Sequence, residues 1–169
     1  MRVLETERLI LRRLHAGDAP FIVELLNDPA WLKHIGDRGV RTLDDARRYI
    51  ENGPLEMYAR LGFGLYLVEQ KADGAAIGLC GILKRDSLEH ADLGFALLPD
   101  YRGLGLAHEA AAGTMEYARE TLGLARIVAI TSQENDTSGK LLLKLGFRFE
   151  RNVRLSEDAE ELRLYASDP

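Results

Sequence analysis

The run Arg102-Gly103-Leu104-Gly105-Leu106-Ala107 has the residue types of an anion site. Before it, Leu93, Phe95 and Leu97 alternate with Gly94, Ala96 and Leu98 as a strand does, and Pro99 ends the alternation. After it, Ala110, Ala111, Met115 and Ala118 recur on one side of a helix. The glycines therefore stand at a helix N-terminus, where backbone N–H groups lack partners and carry partial positive charge. With no side chains in the way, a phosphate can approach those groups. The same glycines also suit a turn that merely joins a strand to a helix, and this stretch alone leaves both readings open. The chain has neither G-x-x-x-x-G-K-S/T nor G-x-G-x-x-G after a strand, which sets the common nucleotide loops aside.

The elements that must position this turn follow from hydrophobic period and punctuation. Residues 8–14 alternate as a first strand. Asp18 is placed to cap a helix reaching Leu26, with Phe21, Ile22, Leu25 and Leu26 at helical spacing, and Asn27-Asp28-Pro29 stops it. Residues 30–41, which hold the only tryptophan, Trp31, read as a loop. Thr42, with Asp45 three positions on, opens another helix that meets Gly53-Pro54, and a short helical piece follows near residues 55–60. Residues 65–69, 75–83 and 90–98 read as three successive antiparallel strands, the first two joined by a turn at Ala72-Asp73-Gly74. The long helix runs to about Gly123, so the strand at 127–130 has a parallel neighbour before that helix. A helix over 139–145 and a strand pair at 147–155 and 161–166 complete the chain, with an acidic solvated turn over 156–160. The expected fold is α/β: a mixed, mostly antiparallel central sheet flanked by helices, in one domain spanning 1–169.

Composition narrows the function. A net charge of −5 argues against non-specific nucleic-acid binding and weakly favours a cationic substrate. Cys80, the only cysteine, sits in an apolar run and reads as buried and structural. His15, His34, His90 and His108 are scattered without metal-ligand spacing. Charges interrupt the first nine residues, and no apolar run approaches the ~20 residues of a membrane span, so the expected compartment is the cytoplasm.

What stands at the turn is R-x-x-G-x-A, at Arg102, Gly105 and Ala107, and it resembles the acetyl-coenzyme A motif of the GNAT superfamily of N-acetyltransferases. Other stretches agree. Thr6-Glu7-Arg8-Leu9-Ile10-Leu11-Arg12 and Leu25-Leu26-Asn27-Asp28-Pro29 look like the RimJ/RimL branch, the ribosomal-protein-alanine N-acetyltransferases. His108-Glu109-Ala110 follows the turn, and Asn135, Ser138 and Lys144-Leu145-Gly146-Phe147 stand downstream as N-x-x-S and K-L-G-F. The resemblance implies the GNAT fold, in which the strands before the turn and after the long helix splay apart and admit acetyl-coenzyme A. Here those are residues 90–98 and 126–132.

The resemblance also implies roles. Backbone N–H groups of Arg102, Gly103, Leu104, Gly105, Leu106 and Ala107 would hold the pyrophosphate. The strand at Phe95, Ala96, Leu97 and Leu98 would pair with the pantetheine arm, as an added strand does. Asn135 would bond the pantetheine or the acetyl side, cap a helix, or do both. The reaction is attack of a neutral amine on a thioester. Amines of pKa ~7.7–10.4 are mostly protonated at neutral pH, so a base must take a proton. Asp92, in D-L-G-F where many relatives carry E-I-G-Y, is either the candidate base, acting directly or through water, or an ordinary strand-edge acid; Glu69, Glu89 and His90 rank behind it. An N–H group of the strand Phe95–Leu97 would face the oxyanion. The acid tyrosine of many GNAT enzymes is replaced here by Leu142, and the branch's serine matches Ser138, which is either a hydrogen-bond donor to the leaving sulfur or a cap or solvent-facing residue. Trp31 and Tyr49 either line the acceptor site or belong to the core. A non-catalytic acyl-coenzyme A sensor on the same fold is the alternative. The expected partners are acetyl-coenzyme A and an amine (a protein N-terminus or a small molecule), with no metal, nucleic acid or membrane. Dimers among many relatives make an edge strand near the C-terminus the candidate surface for a homodimer.

Overall fold

A computed structural model describes all 169 residues. The strands are β1 (Arg2–Glu5), β2 (Leu9–Arg12), β3 (Leu65–Gln70), β4 (Ala76–Leu83), β5 (Asp92–Leu97), β6 (Ile127–Ser132), β7 (Arg148–Val153) and β8 (Leu162–Ser167). They form one sheet in the order β1-β2-β3-β4-β5-β6-β8-β7. Every pairing is antiparallel except β5 with β6, as the long connecting helix requires. The helices are α1 (Ala19–Leu26), α2 (Pro29–His34), α3 (Leu43–Ile50), α4 (Glu56–Leu61), α5 (Leu106–Glu120) and α6 (Asp136–Lys144). None is long and apolar enough to cross a membrane.

Two cores flank the sheet. On one face Ala110, Ala111, Met115 and Ala118 of α5 pack on Cys80, Ile82, Leu93 and Leu97, joined by Leu142 of α6. The small alanines let the helix lie close to the strands. On the other face Ile22, Leu25, Trp31, Ala46 and Ile50 of α1, α2 and α3 cover Leu67, Leu79 and Leu98. Trp31 is thus core. Cys80 is fully buried, its thiol pushed up to about 12 by desolvation, which makes it inert.

Several elements differ from the sequence reading for identifiable reasons. The segment 8–14 yields only the four residues of β2, and an additional edge strand, β1, pairs with it antiparallel. Asp18 stands at the N-cap of α1 as expected, but its side chain makes no capping bond there; it accepts the His15 N–H at 2.9 Å and pairs with Arg12, closing a short turn ahead of the helix. Residues 29–34 are helical rather than loop. Asp28 accepts from the N–H groups of Ala30 (3.2 Å) and Trp31 (3.4 Å), and Pro29 occupies the first helical position, where its missing N–H costs nothing. Asp-Pro therefore starts a helix as well as stopping one. Pro54 sits in a wide π turn (Glu51–Leu55) that carries α3 into α4, so the chain passes through the proline without leaving helical form. The Thr42–Asp45 capping box forms as expected.

Candidate active site

β5 and β6 meet at one register point, Asp92 opposite Val128, where the Val128 N–H donates to Ala91 O at 3.0 Å. Beyond it the strands part, while β5 stays paired to β4 through Leu97 and β6 to β8 through Ser132. The expected splay is present. Along β5, backbone groups alternate between neighbours. The Leu98 N–H donates to Ile77 O at 2.8 Å, which assigns Leu98 and Ala96 to the β4 side. Phe95 consequently turns its N–H and C=O groups, and Leu97 its N–H, into the gap.

The turn at the open end is built to offer N–H groups. Gly103 (φ 77°) and Gly105 (φ 79°) adopt the left-handed conformation that other residues resist. No N–H from Gly103 to His108 has an acceptor within the protein, so six consecutive donors stand free through the turn and into the first turn of a fifteen-residue helix. Arg102 stands apart. Its N–H donates to Pro99 O (3.2 Å), and its guanidinium holds Leu97 O (2.8 and 3.1 Å) and Asp28 Oδ2 (2.6 Å). The arginine is a clamp that ties the turn to β5 and to the cap of α2. From the other side, Arg8 donates to Leu104 O at 3.1 Å and pairs with Glu109 at 2.7 Å, while Thr6 donates to Glu109. The T-E-R stretch and the x-E-A stretch, far apart in sequence, meet to brace the turn. Burial raises the pKa of Glu109, but bonds from Thr6 and Arg8 outweigh that and hold it below its usual range.

Asn135 caps α6, its Oδ1 accepting the Ser138 N–H at 3.1 Å, which leaves its amide N–H groups and the Ser138 hydroxyl without protein partners. Asp92 lies at the closed end of the gap, 1% exposed, with Arg85 Nε at 3.3 Å. Burial pushes its carboxyl above the usual range, and Arg85 and Lys84 pull it partly back. The other acids are not brought to the gap. Glu69 is on β3, two strands away, and pairs with Arg12 at 3.1 Å; Glu89 is exposed in the loop before β5, beside His90. A surface groove of about 670 Å³ runs along α5 against β1 and takes no residue from β5 or β6.

The family comparison agrees with this geometry. The acetyltransferase (GNAT) domain family matches residues 8–148. The chain belongs to the GNAT acetyltransferases. These are N-acetyltransferases, and acetyl transfer is their general reaction. Among relatives, the uncharacterized N-acetyltransferase p20 of Bacillus licheniformis is 30% identical over 95% of this chain and 90% of its own. The [ribosomal protein uS5]-alanine N-acetyltransferase of Escherichia coli is 27% identical over 87% of this chain and 78% of its own. A structure of RimL, the ribosomal L7/L12 α-N-protein acetyltransferase, in complex with coenzyme A shares the fold: TM-score 0.81, 19% identity, covering 99% of this chain and 98% of that one.

In this GNAT fold, sequence reasoning missed three residues at the gap. Arg85 is the counter-ion of Asp92, Asp28 anchors Arg102, and His34 Nδ1 lies 2.7 Å from Ser132 Oγ. The Asp-Pro pair was a usable signal for Asp28. Nothing in the sequence links His34 to a residue 98 positions away.

Proposed function

We propose that this GNAT acetyltransferase transfers the acetyl group of acetyl-coenzyme A directly to a primary amine, either a protein N-terminal α-amine or a small-molecule amine. The observation that carries the donor side is the row of six unpartnered N–H groups, Gly103 to His108, which follows the strand edge where Phe95 and the Leu97 N–H face the gap. A pyrophosphate is the chemical complement of such a row, and an amide-containing arm is the complement of an open strand edge. RimL, on the same fold, binds coenzyme A. Acetyl-coenzyme A supplies the activated acyl group. In this reading Gly103 to His108 hold the phosphates and Arg102 shapes the turn. Phe95 and Leu97 pair with the arm, and one of their N–H groups faces the developing charge on the acyl oxygen. The free Asn135 amide bonds the arm, and the Ser138 hydroxyl donates to the departing sulfur. Asp92 receives the amine proton through water, since its depth prevents direct contact, and its raised pKa makes it a better base than an ordinary aspartate. The name of the uS5-alanine relative makes a protein α-amine the first acceptor to try.

The test is thermal unfolding with acetyl-coenzyme A, coenzyme A and ATP, followed by acetyl transfer to a panel of α-amines, polyamines and aminoglycosides. Ligand at ~100 times its dissociation constant adds about 2.7 kcal/mol. A rise with both coenzyme A species and none with ATP is expected, then a product with at least one amine. No rise at saturation refutes the donor site; binding without any product favours the sensor reading.

A further inference from the structure

α2 lies across the open end of the gap and is fastened at both ends. At its start Asp28 caps it and takes Arg102, which in turn grips Leu97 O on β5. At its end His34 Nδ1 lies 2.7 Å from the hydroxyl of Ser132, the last residue of β6. Next to it, Lys33 Nζ is 3.7 Å from Glu134, an exposed pair that adds little. Ser132 is four residues past Val128, as Ala96 is four past Asp92, so both lie where the two strands have parted. The chain of bonds continues beyond Ser132. Its carbonyl accepts the Asn135 N–H at 3.1 Å, and Asn135 Oδ1 accepts the Ser138 N–H at 3.1 Å. A continuous relay thus runs from α2 to the two polar side chains left unpartnered at the gap.

We infer that His34 is a positioning residue. By holding Ser132 it fixes the Asn135–Ser138 turn at its distance from β5, so that donor binding needs little rearrangement. The inference rests on the acetyl-coenzyme A reading of the gap. The role belongs to Nδ1, and that determines which replacements work. An asparagine amide reaches the position of Nδ1, whereas a glutamine amide reaches that of Nε2 and misses Ser132.

His34→Asn, His34→Gln, Ser132→Ala and the double variant His34→Gln/Ser132→Ala test this by calorimetric affinity for coenzyme A and by kcat and KM for acetyl-coenzyme A. His34→Gln and Ser132→Ala should each weaken coenzyme A about three- to tenfold, the worth of one hydrogen bond. The double variant should be no worse than either single one, because both remove the same contact. His34→Asn should stay within about twofold of the wild type. Wild-type affinity in His34→Gln, additive losses in the double variant, or equal losses in His34→Asn and His34→Gln would each overturn the assignment. Failure of the wild type itself to bind coenzyme A would refute the donor site instead.

Discussion

Replacing Arg102 with alanine separates a clamp from a phosphate ligand. The guanidinium makes two bonds to Leu97 O and one to Asp28, whose side chain is 6% exposed. Bonds to charged groups contribute roughly 1.5–3 kcal/mol each when well buried. Arg102 is 43% exposed, which moves each bond to the low end, and two bonds to one carbonyl count as about one. Asp28 keeps the Ala30 and Trp31 N–H groups and is not orphaned. The loss is therefore about 2–3 kcal/mol, or a fall of about 4–12 °C in the unfolding midpoint of the free protein. Arg102→Lys should lose about half as much, since an ammonium can face Asp28 but cannot also fork to Leu97 O. Thermal unfolding without ligand, paired with calorimetric titration of acetyl-coenzyme A, decides the matter. A midpoint within about 1 °C of the wild type, combined with an affinity at least tenfold lower, would show that Arg102 binds phosphate directly and that the clamp argument is wrong.

Asp92→Asn should cut turnover by about 10²-fold or more while leaving the free protein no less stable at pH 7. Because burial raises the folded-state pKa of Asp92, the wild type binds its proton more tightly when folded. Its stability thus declines as pH rises from the unfolded pKa of ~3.9 through the folded one, and the asparagine variant lacks that slope. Melting curves from pH 4 to 8 check the sign. Ser138→Ala should lower kcat with a good acceptor without moving the midpoint, since its hydroxyl has no partner in the protein; unchanged turnover removes it from the mechanism. Thr131 Oγ1 is buried without a partner, so Thr131→Val should stabilise the protein by about 1 kcal/mol, raising the midpoint about 2–4 °C. A lower midpoint would mean that a bound water satisfies that hydroxyl.

Period, caps and glycine placement determined much of this protein from its sequence alone. The β5–turn–α5 unit, the antiparallel run β3 to β5 and the Thr42 cap were legible because neighbouring residues dictate them. The family was legible too, because its motif lies in one continuous turn. Tertiary structure decided which of those residues face the gap. Arg102 belongs to the motif, yet its charge is directed at Asp28, 74 positions away, and the N–H row begins one residue later. Glu69 and Asp92 are both strand carboxylates, and only sheet order separates the one paired with Arg12 from the one at the gap. His34 meets Ser132 only because α2 reaches the end of β6, a contact across 98 positions that no local pattern encodes. Local sequence sets backbone conformation through sterics and nearby hydrogen bonds. Charge pairing, burial and pKa depend on distances between segments, and those exist only once the two cores have closed on the sheet.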